Sequence, residues 1–296
     1  MNLFEKIKYR VIKSMTEKEK TRYLLNRVFK KTIRRYPEIN EYLAVNEQYK
    51  DKYLGKKCYI LGNGPSLKET NLEWLENELV MTVHQSAKAS YFTAVKSNFH
   101  FWADPDFFDK DIDDELLRCM TDSRFKEYGT KCFFPIQYIA FIKEKKLAEK
   151  LNVNYYYPEF PLYEGFTSNI DFTKFIPGAY TVVQYAIMLA IYMGCTEIIL
   201  MGCECSVILS DLNYYLYGNS ENDYSYQTTK EEKERKQKIR KKHTIEETFA
   251  GNYRIFKDYR LLNEYCARKG IKLYNATKGG LLDCIPRIVI ADEESK

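Results

Sequence analysis

From residue 57 onward, short apolar runs that end at glycine or polar residues alternate with longer stretches of helical periodicity. Cys58–Leu61 is the first run, four apolar residues ending at Gly62, the size of a strand buried on both faces. Similar runs at Leu79–Val83, Phe99–Ala103, Cys132–Phe134, Asn154–Tyr157, Glu197–Leu200 and Ile271–Tyr274 predict further strands. Helices are expected over 68–77, 107–120, 137–150, 179–193 and 244–269. The helix over 179–193 is apolar on nearly every face, which places it at the centre of the fold. The one over 244–269 stops at Gly270, as a helix with a C-terminal glycine should. The stretch before Ala179, with Gly165, Pro177 and Gly178, is expected to be irregular. Strands alternating with helices in this way mean an α/β, Rossmann-like fold: a mostly parallel sheet with helices on both faces.

The first 52 residues follow another pattern. Leu3, Ile7, Val11 and Ile12 share one helical face, and Tyr23, Leu24, Val28 and Ile33 continue a looser one; Pro37 interrupts the run, and Ile39–Tyr49 predicts another helix. The division expected is a basic helical extension, 1–52, and an α/β domain, 53–296. Charge sharpens it: Met1–Lys57 carries 16 Lys or Arg against 7 Asp or Glu, while the whole chain is only +5. A basic arm on a slightly acidic body suits peripheral contact with an anionic membrane, or else a solvated cap or dimerisation arm in a homo-oligomer. No nucleic-acid partner is expected.

At 296 residues and 45% apolar composition, the chain can bury a large core. Its longest apolar stretch, Ala179–Met201, is interrupted by Gln184, Gly194, Thr196 and Glu197 and reads as a buried helix and strand. The eight cysteines have no framework spacing, and Cys203-x-Cys205 lacks a second pair, so neither disulfides nor a structural metal are expected. Met1–Arg10 has no apolar segment of the signal-peptide kind, and a cytoplasmic, membrane-peripheral location is expected.

Candidate chemistry starts at the turn after the first strand, Gly62-Asn63-Gly64-Pro65-Ser66. Two glycines free to take positive φ, Ser66 and the start of a helix would set unpaired N–H groups at the sheet's carboxyl edge, where α/β folds bind phosphate. Leu67 stands where a dinucleotide fingerprint needs a third small residue, and no Gly-Lys-Ser/Thr follows, which excludes a Walker loop. The Asn63 amide is well placed to hydrogen-bond a ligand. The other strand ends supply His84, Gln85, Asp104, Asp106, Gly202, Glu204 and Asn275, with no Gly-x-Ser-x-Gly elbow or Ser-His-Asp order, which disfavours a hydrolase. Asp104-Pro105-Asp106 has the form of a metal-holding Asp-x-Asp pair or of a helix start, and Asp104 is also a candidate ribose or substrate ligand. Of three histidines, His100 falls inside a strand, His84 at a strand end, and His243 follows a charged run where a lid could carry it over the cleft as general base. The polar stretch 203–242 includes Tyr214, Tyr215, Tyr217, Tyr224 and Tyr226 and is too long for a plain connection. It predicts a lid whose hydroxyls could stabilise a departing phosphate.

Three ordered blocks carry a resemblance: Ile60-Leu61-Gly62-Asn63-Gly64-Pro65-Ser66-Leu67; Gly178-Ala179-Tyr180 through Glu197–Glu204; and Gly270–Gly280 with Pro286-Arg287. Over about 57–290 the chain resembles the bacterial lipooligosaccharide sialyltransferases. It is also similar to a wider group of surface-polysaccharide and flagellin-glycosylation proteins sharing a domain with archaeal 6-hydroxymethylpterin diphosphokinase. The resemblance implies a GT-A-variant sheet binding a CMP-linked nucleotide sugar, with inverting, metal-independent transfer to a cell-surface glycan or glycolipid acceptor. It implies Gly62, Asn63, Gly64 and Ser66 at the donor phosphate and sugar, Gln85 and Asp104 at the nucleotide, and Gly178, Gly202, Glu204 and Asn275 around them. Tyr214 or Tyr217 would meet the leaving phosphate. That family's catalytic histidine falls near Asn252-Tyr253, and His243 is the approximate substitute. Two alternatives stay open: a Mg²⁺-dependent diphosphokinase acting on a pterin alcohol through Asp104 and Asp106, and a catalytically idle nucleotide-binding protein of a glycan locus.

Overall fold

The computed structural model describes residues 27–109, 112–217, 224–241 and 243–290. Its centre is one eight-stranded sheet: β1 (Lys57–Leu61), β2 (Val80–Val83), β3 (Phe99–Phe101), β4 (Lys131–Pro135), β5 (Asn152–Pro161), β6 (Phe175–Gly178), β7 (Glu197–Met201) and β8 (Lys272–Asn275). Every pairing is parallel, in the order β6-β5-β4-β3-β2-β1-β7-β8. The chain adds strands outward from β1 to β6, then returns to lay β7 beside β1, so the order reverses between those two. β1, β2, β3 and β7 are buried almost residue for residue, as a sheet covered on both faces requires.

The helices used below are α1 (27–35), α2 (Pro37–Ala44), α3 (Asp114–Met120), α4 (Val182–Tyr192), α5 (Val207–Tyr217), α6 (Lys230–Arg240) and α7 (Ile245–Arg268). α4 is buried over ten of its eleven residues and packs with α7 on one face of the sheet, as its uniformly apolar sequence predicts. Thr181 and Gln184 form a capping box at its start, and Gln184 also donates to the Ile255 carbonyl of α7 at 2.9 Å. The other face is closed by short helical turns over Leu61, Val80, Trp102 and Phe134. Pro37 opens α2 at its first turn, and α2 leads into the core through Leu43, Asn46 and Tyr49; the Asn46 amide donates to the carbonyls of Tyr155 and Phe172. Leu3, Ile7, Val11, Ile12, Tyr23 and Leu24 lie outside the described residues.

Several expectations are corrected. Pro177 and Gly178 end a real strand, β6, which tolerates a proline because it lies at the sheet's edge. The helix over 68–77 is instead two 3₁₀ turns, Pro65–Lys68 and Glu73–Asn77. The helix over 107–120 is only α3 behind a 3₁₀ turn, and 137–150 breaks at Lys146, whose φ is +52°. The stretch 203–242, read as a polar insert, contains α5 and α6.

Candidate functional site

The turn after β1 is built against the protein. Neither glycine takes positive φ; both are required by close approach. A Cβ on Gly62 would lie 2.2 Å from the Gly202 carbonyl oxygen, and one on Gly64 would lie 1.3 Å from a carboxylate oxygen of Glu204. The N–H groups expected to face a phosphate are taken: Gly62 donates to the Met201 carbonyl, Gly64 to that of Gly202, Leu67 to that of Gly64, and Ser66 to Oε1 of Glu204 at 2.8 Å. With a 3₁₀ turn in place of a helix, the dipole end is missing as well. Asn63 donates its amide to the Val83 carbonyl and accepts from Ser86, clamping the ends of β1 and β2. The buried Glu204 carboxylate thus fills the crevice at the point of strand reversal, and its Oε2 has no hydrogen-bond partner.

The lid is docked. Ser225 donates to the Asn63 carbonyl at 2.9 Å, and Glu232 of α6 buries its carboxylate among Gln85 (3.1 Å), Tyr226 (3.3 Å), Lys236 (2.6 Å) and Lys88 (3.2 Å). Burial alone would raise the Glu232 carboxyl, but Lys236, Lys88 and the Gln85 amide hold it below the ordinary carboxylate range. Arg235–Asp113 and Thr229–Glu115 fasten α6 to α3 and its cap, and Arg240–Asp211 fastens it to α5.

Beneath this roof opens a cavity of about 780 Å³ at the carboxyl ends of β2, β3 and β6. Its floor holds His84, Asp104, Asp106 and Tyr138; its roof holds Tyr215, Tyr224, Lys236, Arg240, His243 and Asn252. His84 sits at φ +48°, and its Nε2 accepts from the backbone N–H groups of Ala103 (3.3 Å) and Asp104 (3.4 Å). Burial, helped by the charge of Lys236, lowers its pKa to about 3, so the ring is neutral with its proton on Nδ1, a hydrogen-bond donor and not a base. Packing raises the Asp104 carboxyl, against the Asp106 N–H it caps and the charges of Arg235 and Lys236. Lys236 lies 3.9 Å from the centre of the Tyr224 ring, and Tyr215 donates to the His243 carbonyl at 2.8 Å.

Of the residues read from the sequence, His84, Asp104, Asp106, Tyr215, Tyr224 and His243 meet in this cavity. Ser66 and Gly202 line a separate cleft of about 640 Å³ under Arg287, and Gly178 lines a third. Gln85, expected at the nucleotide, and Glu204 and Asn275, expected around the nucleotide sugar, are turned into the protein; Asn275 donates to Leu282 and accepts from Thr277. Tyr217 is 73% exposed and Tyr214 stacks edgewise on Tyr215, so the tyrosines that the stretch 203–242 brings to the cavity are Tyr215 and Tyr224. Lys236 and Arg240 were hidden in a charge-dense run; their i, i+4 spacing is the signal that they share one face.

The fold defines an α/β protein of the Rossmann-like class, with an open cavity at the sheet's carboxyl edge. The chain belongs to the MptE-like family, described as 6-hydroxymethylpterin diphosphokinase MptE-like, whose model matches residues 30–208. Among solved structures it is similar to the sialyltransferase CST-II, crystallised in complex with trisaccharide acceptor and CMP. The identity is 19% over 81% of this chain and 96% of that one, with a TM-score of 0.39. No curated protein matches the chain. Among the described residues, no helix is long and apolar enough to cross a membrane.

Proposed function

We propose that the protein is a transferase that binds a phosphate-activated donor in the 780 Å³ cavity, specifically a glycosyltransferase taking a CMP-linked sugar to a cell-surface glycan or glycolipid. The observation that supports it is the pairing of Lys236, Arg240 and two tyrosines on the roof with the neutral His84 and Asp104 on the floor. A phosphate entering there meets two cations already aligned on one helix face and hydroxyl donors for its oxygens. His84 offers Nδ1–H, Asp104 accepts from a ribose hydroxyl, and His243 at the rim takes the acceptor proton. The acceptor oxygen bonds to the anomeric carbon while the bond to the donor phosphate breaks, its electron pair leaving with CMP. Gly62, Asn63, Gly64, Ser66, Gln85 and Glu204 act indirectly in this reading, by shaping the edge on which the floor rests.

A second reading is favoured by the family and by Asp104 and Asp106 on the same rim: transfer of diphosphate from ATP to a pterin alcohol. Two carboxylates with phosphate oxygens are a sufficient set for Mg²⁺, which would neutralise the transferred phosphates when bound. Thermal-shift titration separates the two. Stabilisation by CMP that EDTA leaves unchanged supports the first; a shift by ATP only with Mg²⁺ supports the second; no shift with either leaves an idle scaffold. The exposed Arg27, Lys30, Lys31, Arg34 and Arg35 of α1, with no acidic residue among them, support peripheral contact with anionic lipid. Flotation with phosphatidylserine vesicles, and not with phosphatidylcholine alone, tests that contact.

A further inference from the structure

A second chamber of about 590 Å³ adjoins the main cavity, and nothing above gives it a ligand. It lies between the last residues of β5 and β6 and the middle of α7, and the two spaces share Gln137, Ala179, Tyr180 and Tyr185 as walls. Asp258 sits in it, 6% exposed, in the interior of α7. An acidic residue has no helix-propensity reason to be there, and a buried carboxylate costs stability unless it is paired. The Tyr180 backbone N–H donates to Oε1 of Gln184 at 3.0 Å and lies close enough to ease the Asp258 carboxyl, which forms no ion pair among the described residues. Burial lifts its pKa to about 6, against the charges of Lys257 and Arg254. A residue this costly, aimed into an open chamber beside a ligand cavity, has the marks of a binding group.

The rest of the lining says which ligand. Tyr180 is half exposed and presents its ring, with the Arg254 guanidinium 5.1 Å from its centre and bonded to its hydroxyl. Gly178 lets a ligand approach backbone closely, and Glu159 and Lys257 add one charge of each sign. Carboxylates that accept from neighbouring hydroxyls, an aromatic face and no net charge excess suit a polyhydroxylated sugar ring better than a strong anion or an apolar group.

We propose that this chamber is the acceptor subsite, that it takes a sugar, and that Asp258 holds that sugar by accepting hydrogen bonds from its hydroxyls. The proposal rests on the transferase reading, and its test keeps the two apart. Saturation-transfer NMR at pH 7 on the full chain would use methyl β-galactoside, lactose and N-acetylglucosamine, each with CMP present, while the thermal shift by CMP is read separately. Saturation of at least one sugar is expected with the wild type, falling tenfold or more in Asp258→Asn. A weaker signal is expected in Gly178→Ala, where an added methyl meets no atom nearer than 3.7 Å and so leaves the fold intact. No sugar signal while CMP still stabilises the protein overturns the subsite alone, as does full binding by Asp258→Asn. Absence of a CMP shift overturns the transferase reading, and sugar binding that depends on Asp258 then still upholds the chamber.

Discussion

Two titratable residues, Asp258 and His84, carry measurable consequences. The Asp258 carboxyl is raised from 3.8 to about 6, so the native state binds its proton more tightly than the unfolded chain does. The resulting penalty is absent below pH 3.8, grows as pH rises to about 6 and is complete above it. Asp258→Asn should therefore raise the melting temperature by several degrees at pH 7.5 and leave it unchanged at pH 3.5; an equal effect at both would remove the penalty. His84 runs the other way. With its pKa lowered to about 3, it loses stability for the fold as pH falls from 6.5 towards that value, because the unfolded chain protonates first. ¹⁵N spectra should show a neutral Nδ1–H ring at pH 5; an imidazolium there would contradict the geometry. Neither effect was legible in the sequence, since burial of a single side chain depends on neighbours such as Tyr180 and Ala103 that are distant in the chain.

At the scale of elements, the glycine turn and α6 are each locked by a carboxylate. Gly64→Ala should destabilise by about 3 kcal/mol because the new methyl overlaps Glu204, and Gly64→Ala with Glu204→Ala should recover part of it. Additive losses in urea unfolding would mean that the two positions do not touch. Glu232→Gln leaves Lys88 and Lys236 without their shared partner, and hydrogen exchange along 224–240 should accelerate tenfold or more while β1 and β7 stay protected. The strands, α4 and α7 were legible because their apolar runs and caps (Thr244, Gly270) are local signals. The spacing of Leu72, Leu75 and Leu79 mimics a helix, while Leu72 and Leu75 serve one 3₁₀ turn and Leu79 leads into β2. β6 was missed because its pairing with β5, and not its composition, makes it a strand.

For the whole molecule, the sheet order decides where ligands can go. The crevice between β1 and β7, the usual binding place at a point of strand reversal, is filled by the segment 202–204. The 780 Å³ cavity lies instead over β2, β3 and β6, roofed by α5, α6 and α7, elements drawn mostly from the stretch that reads as polar insert. The sequence therefore marked the right edge of the sheet, the cavity residues His84, Asp104, Asp106 and His243, and the stretch carrying Tyr215 and Tyr224, but not Lys236 and Arg240. The most direct measurement is a crystal structure of the full chain soaked with CMP. The account predicts nucleotide density between Asp104 and Lys236, its phosphate within hydrogen-bond reach of Lys236, Arg240 or Tyr215. Density at the Gly62–Ser66 turn with Glu204 displaced, and an empty main cavity, would contradict it.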